Sequence, residues 1–172
     1  MTLLHKNSRV KEIMQKNVLT IHPNQTIFDA SVLMACKLIG SLSVVKEDRT
    51  FVGIITDRDL VTRCIALGKD PKKVKVYECM TTNPIRTVPS ATLADAMVLM
   101  GEYGIRRLPI VENDKLIGLI SIADIAKVSD ACPNERCPDH SCILIDMARE
   151  LKRTSNCEKC CSSSELNYTE IK

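Results

Sequence analysis

Apolar residues fall along this chain in short blocks, and the blocks come twice. VKEIM, at Val10–Met14, returns as VYECM at Val76–Met80, 66 positions on. At the same offset, TIFDASVLM (Thr26–Met34) returns as TLADAMVLM (Thr92–Met100), Asn17 as Asn83 and Pro23 as Pro89. After a slip of one residue, FVGIITDRDL from Phe51 matches LIGLISIADI from Leu116 at an offset of 65. Self-similarity in register over this length marks a repeated structural unit. The copies are residues 8–67 and 76–128, joined by a Lys-rich linker with Gly and Pro at 68–75.

The pattern inside each copy predicts its elements. VLTI (18–21) and PIRTV (84–88) read as short strands. Thr26 and Thr92 stand where a helix N-cap belongs, with Asp29 and Asp95 three residues on, as in a capping box. The helices that follow, Ile27–Leu38 and Leu93–Tyr103, are apolar nearly all round, which predicts burial on more than one side. LSVV and LPIV read as strands, then a turn (KEDRT, ENDK), then a third strand running into a helix at Thr56 or Ser121. The fold class is therefore α+β, two β-α-β-β-α units. One unit of this size buries little core, so the two are expected to pack together pseudo-symmetrically.

Thr56 with Asp59, and Ser121 with Asp124, hold the same frame in both copies. Capping alone explains the spacing, because a carboxylate at the third helical position bonds the cap's N–H and favours the helix dipole. A second use is open. A helix that starts directly off a strand exposes free N–H groups suited to phosphate, and a carboxylate one turn in can take ribose hydroxyls. Gly53 and Gly118 are expected to leave room for close approach to the backbone.

Two such units, each closing on Gly-aliphatic-aliphatic-Thr/Ser-x-x-Asp, resemble a tandem pair of CBS domains (cystathionine-β-synthase domains, paired as a Bateman module). GIRRLPIVENDKLIGLISIADI resembles that family's second half almost throughout, and the likeness covers roughly residues 8–128. It implies an adenosine-nucleotide sensor of the AMP, ADP, ATP or S-adenosylmethionine type. In that family Asp59 and Asp124 would hold ribose, and Thr56 and Ser121 would meet ribose or phosphate. Adenine would lie between residues at the starts of the first and second strands: Leu19, Thr20, Ile39 and Ser41 for one site, Ile85, Thr87, Ile105 and Arg106 for the other. The copies differ in charge. The first carries Arg58 between its Thr and Asp, and the second carries Arg106 and Arg107 before its second strand. These arginines are candidates for phosphate, which guanidinium pairs with bidentately; the plain alternative is solvated surface charge. The family also implies a homodimer and a regulated partner protein.

Composition changes the picture mainly after Ala131. The 172 residues hold nine cysteines, and six of them lie between 132 and 161. Two cysteine-bearing loops flank a short amphipathic helix (Ile143, Ile145, Met147, Ala148, Leu151). Thiolates at this spacing suit a metal. Four of Cys132, Cys137, Cys142, Cys157 and Cys160 are the expected ligands, with His140 and Cys161 as substitutes. Zinc is the first expectation and iron the alternative. A metal would organise a small Cys-rich tail at 131–161 that is otherwise too short to fold, and the polar 162–172 is expected to be mobile. Disulfide chemistry at Cys160–Cys161, or no role at all, remains open. Cys36, Cys64 and Cys79 read as core or interface filler.

A net charge of +3 does not argue for nucleic acid or membrane. No apolar run approaches a membrane span and no signal-peptide core opens the chain, so a cytoplasmic protein is expected. The three His are scattered, no nucleophile motif, P-loop or GxGxxG appears, and no enzyme domain is attached. The expectation is a stand-alone, non-enzymatic binding module. A nucleotide-gated redox or iron protein working through the C-terminal cysteines is the alternative.

Overall fold

The computed structural model describes residues 8–129. In chain order the elements are α1 (Val10–Ile13), β1 (Thr20–Ile21), α2 (Ile27–Lys37), β2 (Ser41–Val45) and β3 (Phe51–Thr56). Next come α3 (Asp57–Asp59), continued by π and 3-10 turns to Leu67, then α4 (Val76–Cys79) and β4 (Thr81–Thr82). The second half holds α5 (Leu93–Glu102), β5 (Arg107–Glu112), β6 (Lys115–Ser121) and α6 (Ile122–Ser129). This is the α+β paired-repeat architecture expected from the pattern.

The two sheets follow one plan. In the first, the order is β1-β2-β3-β4, with β1 parallel to β2 and the other pairs antiparallel. In the second, β5 pairs antiparallel with β6, and its outer positions are single bridges, Thr87 to Ile110 (parallel) and Gln15 to Leu119 (antiparallel). The expected strand at 84–88 is therefore reduced to one bridging residue. Thr87 donates its N–H to Pro109 O at 2.9 Å and accepts from Val111 N at 2.9 Å. Asn83 has a left-handed φ of 48° and Pro84 has no N–H, so no ladder can start there.

The slip from 66 to 65 has a local cause. The second hairpin turns on two residues, Asn113 and Asp114, with φ of 48° and 59°, the backbone of a type I′ turn. The first turns on three, Glu47 to Arg49, with Arg49 at φ 65°. One residue fewer in the turn sets the later elements one position closer.

The leading segments are exchanged. α1 belongs to the first copy in sequence, yet Val10 is 0% exposed inside the core built from α5, β5, β6 and α6. Val10 N bonds Ala91 O at 2.9 Å and Leu93 N bonds Ser8 O at 3.0 Å. α4, from the second copy, packs into the core of α2, β2 and β3 through Val76 and Cys79. Its bonds are the counterparts 66 residues on: Val76 N to Gln25 O at 2.9 Å and Ile27 N to Val74 O at 3.0 Å. The segments after α1 and α4 then lie beside β6 and β3 of the opposite copy. Each packed half thus contains the opening of the other repeat. A third cluster, Phe51, Val111 and Leu116 with Val18 and Val45 against it, joins the halves near the hairpins.

α2 buries Ile27, Ala30 and Met34 but leaves Phe28 and Val32 each 44% exposed; α5 leaves Val98 48% exposed. The all-round burial read from these helices is therefore one-sided within the chain. Cys64 and Cys79 are core residues, whereas Cys36 is exposed on α2. Burial, with Cys64 close by, pushes the Cys79 thiol above its usual range.

A pair of clefts between the two sheets

In each sheet, alternate residues face opposite ways. Leu42, Val44 and Ile55 go into the first core, while Ser41, Ser43, Ile54 and Thr56 border two clefts that the second sheet also lines. Arg107, Pro109, Leu119 and Ser121 occupy the matching positions on that sheet.

The larger cleft, about 450 Å³, brings together Thr56, Arg58 and Asp59 of the first copy with Ile85, Ile105, Arg106 and Arg107 of the second, and also reaches Ser41. The smaller, about 220 Å³, sets Ser121 and Asp124 of the second copy against Leu19, Ile39 and Ser41 of the first, with Arg107 again at its wall. Each cleft thus joins the capped helix start of one copy to the strand starts of the other. Thr20 and Thr87, expected among the adenine contacts, line neither cleft. Counted by the repeat, Thr20 corresponds to Arg86 and Thr87 to Ile21, so the two threonines are not equivalent positions. Thr87 is buried behind the cleft, held in its bridge to Ile110.

Both helix starts are complete capping boxes. Thr56 N and Oγ1 donate to Asp59 Oδ2 at 2.9 and 2.7 Å, and Asp59 N donates back to Thr56 Oγ1 at 3.2 Å. Ser121 N and Oγ donate to Asp124 Oδ2 at 3.0 and 2.5 Å, with Asp124 N returning to Ser121 Oγ at 3.2 Å. The second carboxylate oxygens also have partners: Arg63 Nε lies 3.3 Å from Asp59 Oδ1, and Gln15 Nε2 donates to Asp124 Oδ1 at 2.8 Å. A ribose hydroxyl would share or displace these donors. Thr26–Asp29 and Thr92–Asp95 form the same box away from the clefts. There the Thr26 and Thr92 bonds hold both carboxyls below their ordinary value of 3.8.

The clefts differ in charge. The larger has Arg58, Arg106 and Arg107 facing Asp57 and Asp59. The smaller has Arg107 as its one cation and Asp124 as its one carboxylate among the described residues. At Arg106 the first copy has Gly40, and at Arg58 the second has Ala123.

The two third-strand glycines do not open on a ligand space. A Cβ at Gly53 would lie 2.7 Å from Thr81 O and 2.9 Å from Met80 Sδ. One at Gly118 would lie 2.5 Å from Met14 Sδ. The close approach these glycines permit is that of the exchanged segments. Pattern reading also passed over Gln15, Ser43, Pro84 and Tyr103, which line the clefts. Ser43 stands at the repeat position of Pro109, a difference legible in the alignment of the copies.

The proposed metal ligands, Cys132, Cys137, Cys142, Cys157 and Cys160, lie outside the described residues. Among the described residues there is no group of three or more His, Cys, Asp or Glu placed to hold a metal, and no helix long and apolar enough to cross a membrane.

Comparison with known proteins agrees with the geometry. The CBS domain family model matches residues 10–65 and 76–131. The CBS domain-containing protein YhcV of Bacillus subtilis (strain 168) is 40% identical over 119 residues, which span 69% of this chain and 84% of that protein. The structure of Hypoxic Response Protein I with two coordinated zinc ions superposes with a TM-score of 0.65 at 28% identity, covering 70% of this chain and 98% of that one. The CBS domain pair of protein MJ0100, in complex with 5′-methylthioadenosine and S-adenosyl-L-methionine, superposes with a TM-score of 0.61 at 29% identity, covering 70% and 94%.

Proposed function

Because the chain belongs to the CBS-domain family, we propose that it is a regulatory module that binds an adenosine-containing ligand and passes its level to a partner protein without catalysing a reaction. The ligand class is AMP, ADP, ATP or the S-adenosylmethionine type. One observation carries this reading: both clefts place a capped helix start and its aspartate opposite apolar residues from the other copy. Those are the parts needed to take phosphate or ribose at one end and a flat base at the other. The adenosine compounds bound by MJ0100 support the class.

The two sites are unequal. The three arginines of the larger cleft suit a phosphorylated nucleotide, and none of them is ion-paired among the described residues. The smaller cleft, with one arginine, suits a nucleoside or an adenosine carrying little negative charge. Calorimetric titration of AMP, ATP and S-adenosylmethionine into the protein, and into an Arg58→Ala, Arg106→Ala double variant, tests this. Charge-assisted hydrogen bonds are worth about 1.5–3 kcal/mol, so losing them should weaken AMP roughly tenfold or more. Unchanged AMP affinity would remove the arginines from the phosphate site.

The half-exposed apolar residues of α2 and α5, Phe28, Val32 and Val98, support a homodimer joined through those helices. Light scattering on the eluting protein checks it, and a monomer across the accessible concentrations sinks it. A second reading concerns the tail. Its cysteine spacing supports a thiolate metal site at 132–160. A colourless zinc protein keeps the regulatory reading. A coloured, iron-bearing one favours a nucleotide-gated redox protein. Metal analysis after aerobic and anaerobic purification separates them, and six free, metal-less thiols would dismiss the metal site while leaving the regulatory reading in place.

A further inference from the structure

The smaller cleft holds a polar group with nothing to bond. Ser43 lies in the middle of β2, an inner strand flanked by β1 and β3, and is 2% exposed. Its hydroxyl has no hydrogen-bond partner among the described residues. The neighbouring side chains, Leu42 and Val44, turn into the first core. Ser43 turns the other way, into the space between the sheets, and lines the cleft with Leu19, Ile39 and Leu119. A buried hydroxyl without a partner is costly, because it has given up water for nothing. Apolar residues of similar size would fill a strand centre more stably. The other copy has a residue of that kind, since Pro109 stands at this position and lines the larger cleft.

We infer that Ser43 is the specificity-determining residue of the smaller cleft, where its hydroxyl accepts a hydrogen bond from the exocyclic amine of an adenine base. The inference rests on reading that cleft as an adenosine site. Asp124 stands at the ribose end, Leu19 and Ile39 offer apolar contact to the base, and Ser43 is a polar atom awaiting the base's edge. Serine has three staggered χ1 positions, so a bound base can draw the hydroxyl toward it at the cost of one rotamer change. The larger cleft cannot read the amine in this way, because Pro109 carries no side-chain acceptor. The two clefts then divide the work: one is selected by phosphate through arginines, the other by the base through Ser43.

The test uses adenosine and purine riboside, which differ only in the amine. Both are titrated calorimetrically into an Arg58→Ala, Asp59→Asn protein, in which the larger cleft is disabled, with and without Ser43→Ala or Ser43→Thr. With Ser43 present, adenosine should bind about tenfold tighter than purine riboside, the span of one net hydrogen bond. Ser43→Ala should erase the preference by weakening adenosine alone, without lowering Tm, since it removes an unpartnered group. Ser43→Thr, which keeps the hydroxyl, should keep the preference. If the preference survives Ser43→Ala, or if that change lowers Tm and weakens both nucleosides equally, the inference is wrong while the adenosine reading stands. If the unsubstituted protein binds no adenosine compound at all, the adenosine reading falls and takes this inference with it.

Discussion

A hydroxyl residue followed three positions later by aspartate starts four helices here, at Thr26, Thr56, Thr92 and Ser121, and all four close the same reciprocal box. Of these, Thr56–Asp59 and Ser121–Asp124 face the two clefts between the sheets. Thr26→Ala and Thr92→Ala should each cost about 1 kcal/mol of stability, a lost N-cap, and leave nucleotide affinity alone. Thr56→Ala and Ser121→Ala should cost about the same and weaken binding too, and paired thermal melts and titrations read the difference. Asp29 and Asp95 titrate below 3.8 when folded. The stability they add is therefore present above the ordinary carboxylate range and lost as pH falls through their folded values. Thr92→Ala, which removes the hydroxyl bond that lowers Asp95 most, should flatten the acid limb of a melting-temperature profile. Sequence showed all four boxes, and the strand running straight into the helix, with the CBS resemblance, singled out Thr56–Asp59 and Ser121–Asp124. It did not show that each faces residues of the other copy, since the local geometry of all four is the same. A second residue is visible by comparing the copies. Leu38 ends α2 at φ 52° and is 94% exposed, where the other copy has Gly104 at φ 61°. Leu38→Gly should raise stability by about 1 kcal/mol in denaturant unfolding, by relieving left-handed backbone strain at a site with no packing to lose.

Between elements, the telling contacts are those of β3 and β6 with the exchanged segments. Gly53→Ala would press on the carbonyl of Thr81, which is backbone, whereas Gly118→Ala would press first on the side chain of Met14. Both should destabilise by about 1–3 kcal/mol, Gly53→Ala the more, because a thioether can swing away and a paired strand cannot. Met14→Ala should recover part of the Gly118→Ala loss in a double-mutant cycle; strict additivity would contradict this packing. The glycines themselves were legible as places of close approach. What approaches them was not, since Met14 and Met80 lie more than twenty residues from their partners in sequence and across the boundary of the repeat. The strand at PIRTV was misread for a related reason. Its alternation is real, but Asn83 and Pro84 deny it a ladder, and Thr87 alone reaches β5.

At the scale of the molecule, the repeat was read correctly as a period and less well as a body. Periodicity fixes which residues correspond; it is silent on whether the first five of each copy pack on their own unit or on the other. The consequence can be measured. Val10→Ala should cost about 2 kcal/mol, and the added hydrogen exchange should appear in α5, β5 and β6 rather than in α2, β2 and β3, although Val10 precedes the latter in sequence. Exchange confined to the first copy would contradict the shared core. The same placement orders the events of synthesis. The half built on α2 has all its parts once β4 has left the ribosome. α1 is made before any of them, yet its own seat is complete only when α6 follows. At ordinary elongation rates that is a wait on the order of ten seconds. From the emergence of β4 until α6 follows, a newborn chain carries a finished first half and an undocked α1 with Val10 uncovered, the stage at which chaperones or a second nascent chain would meet it.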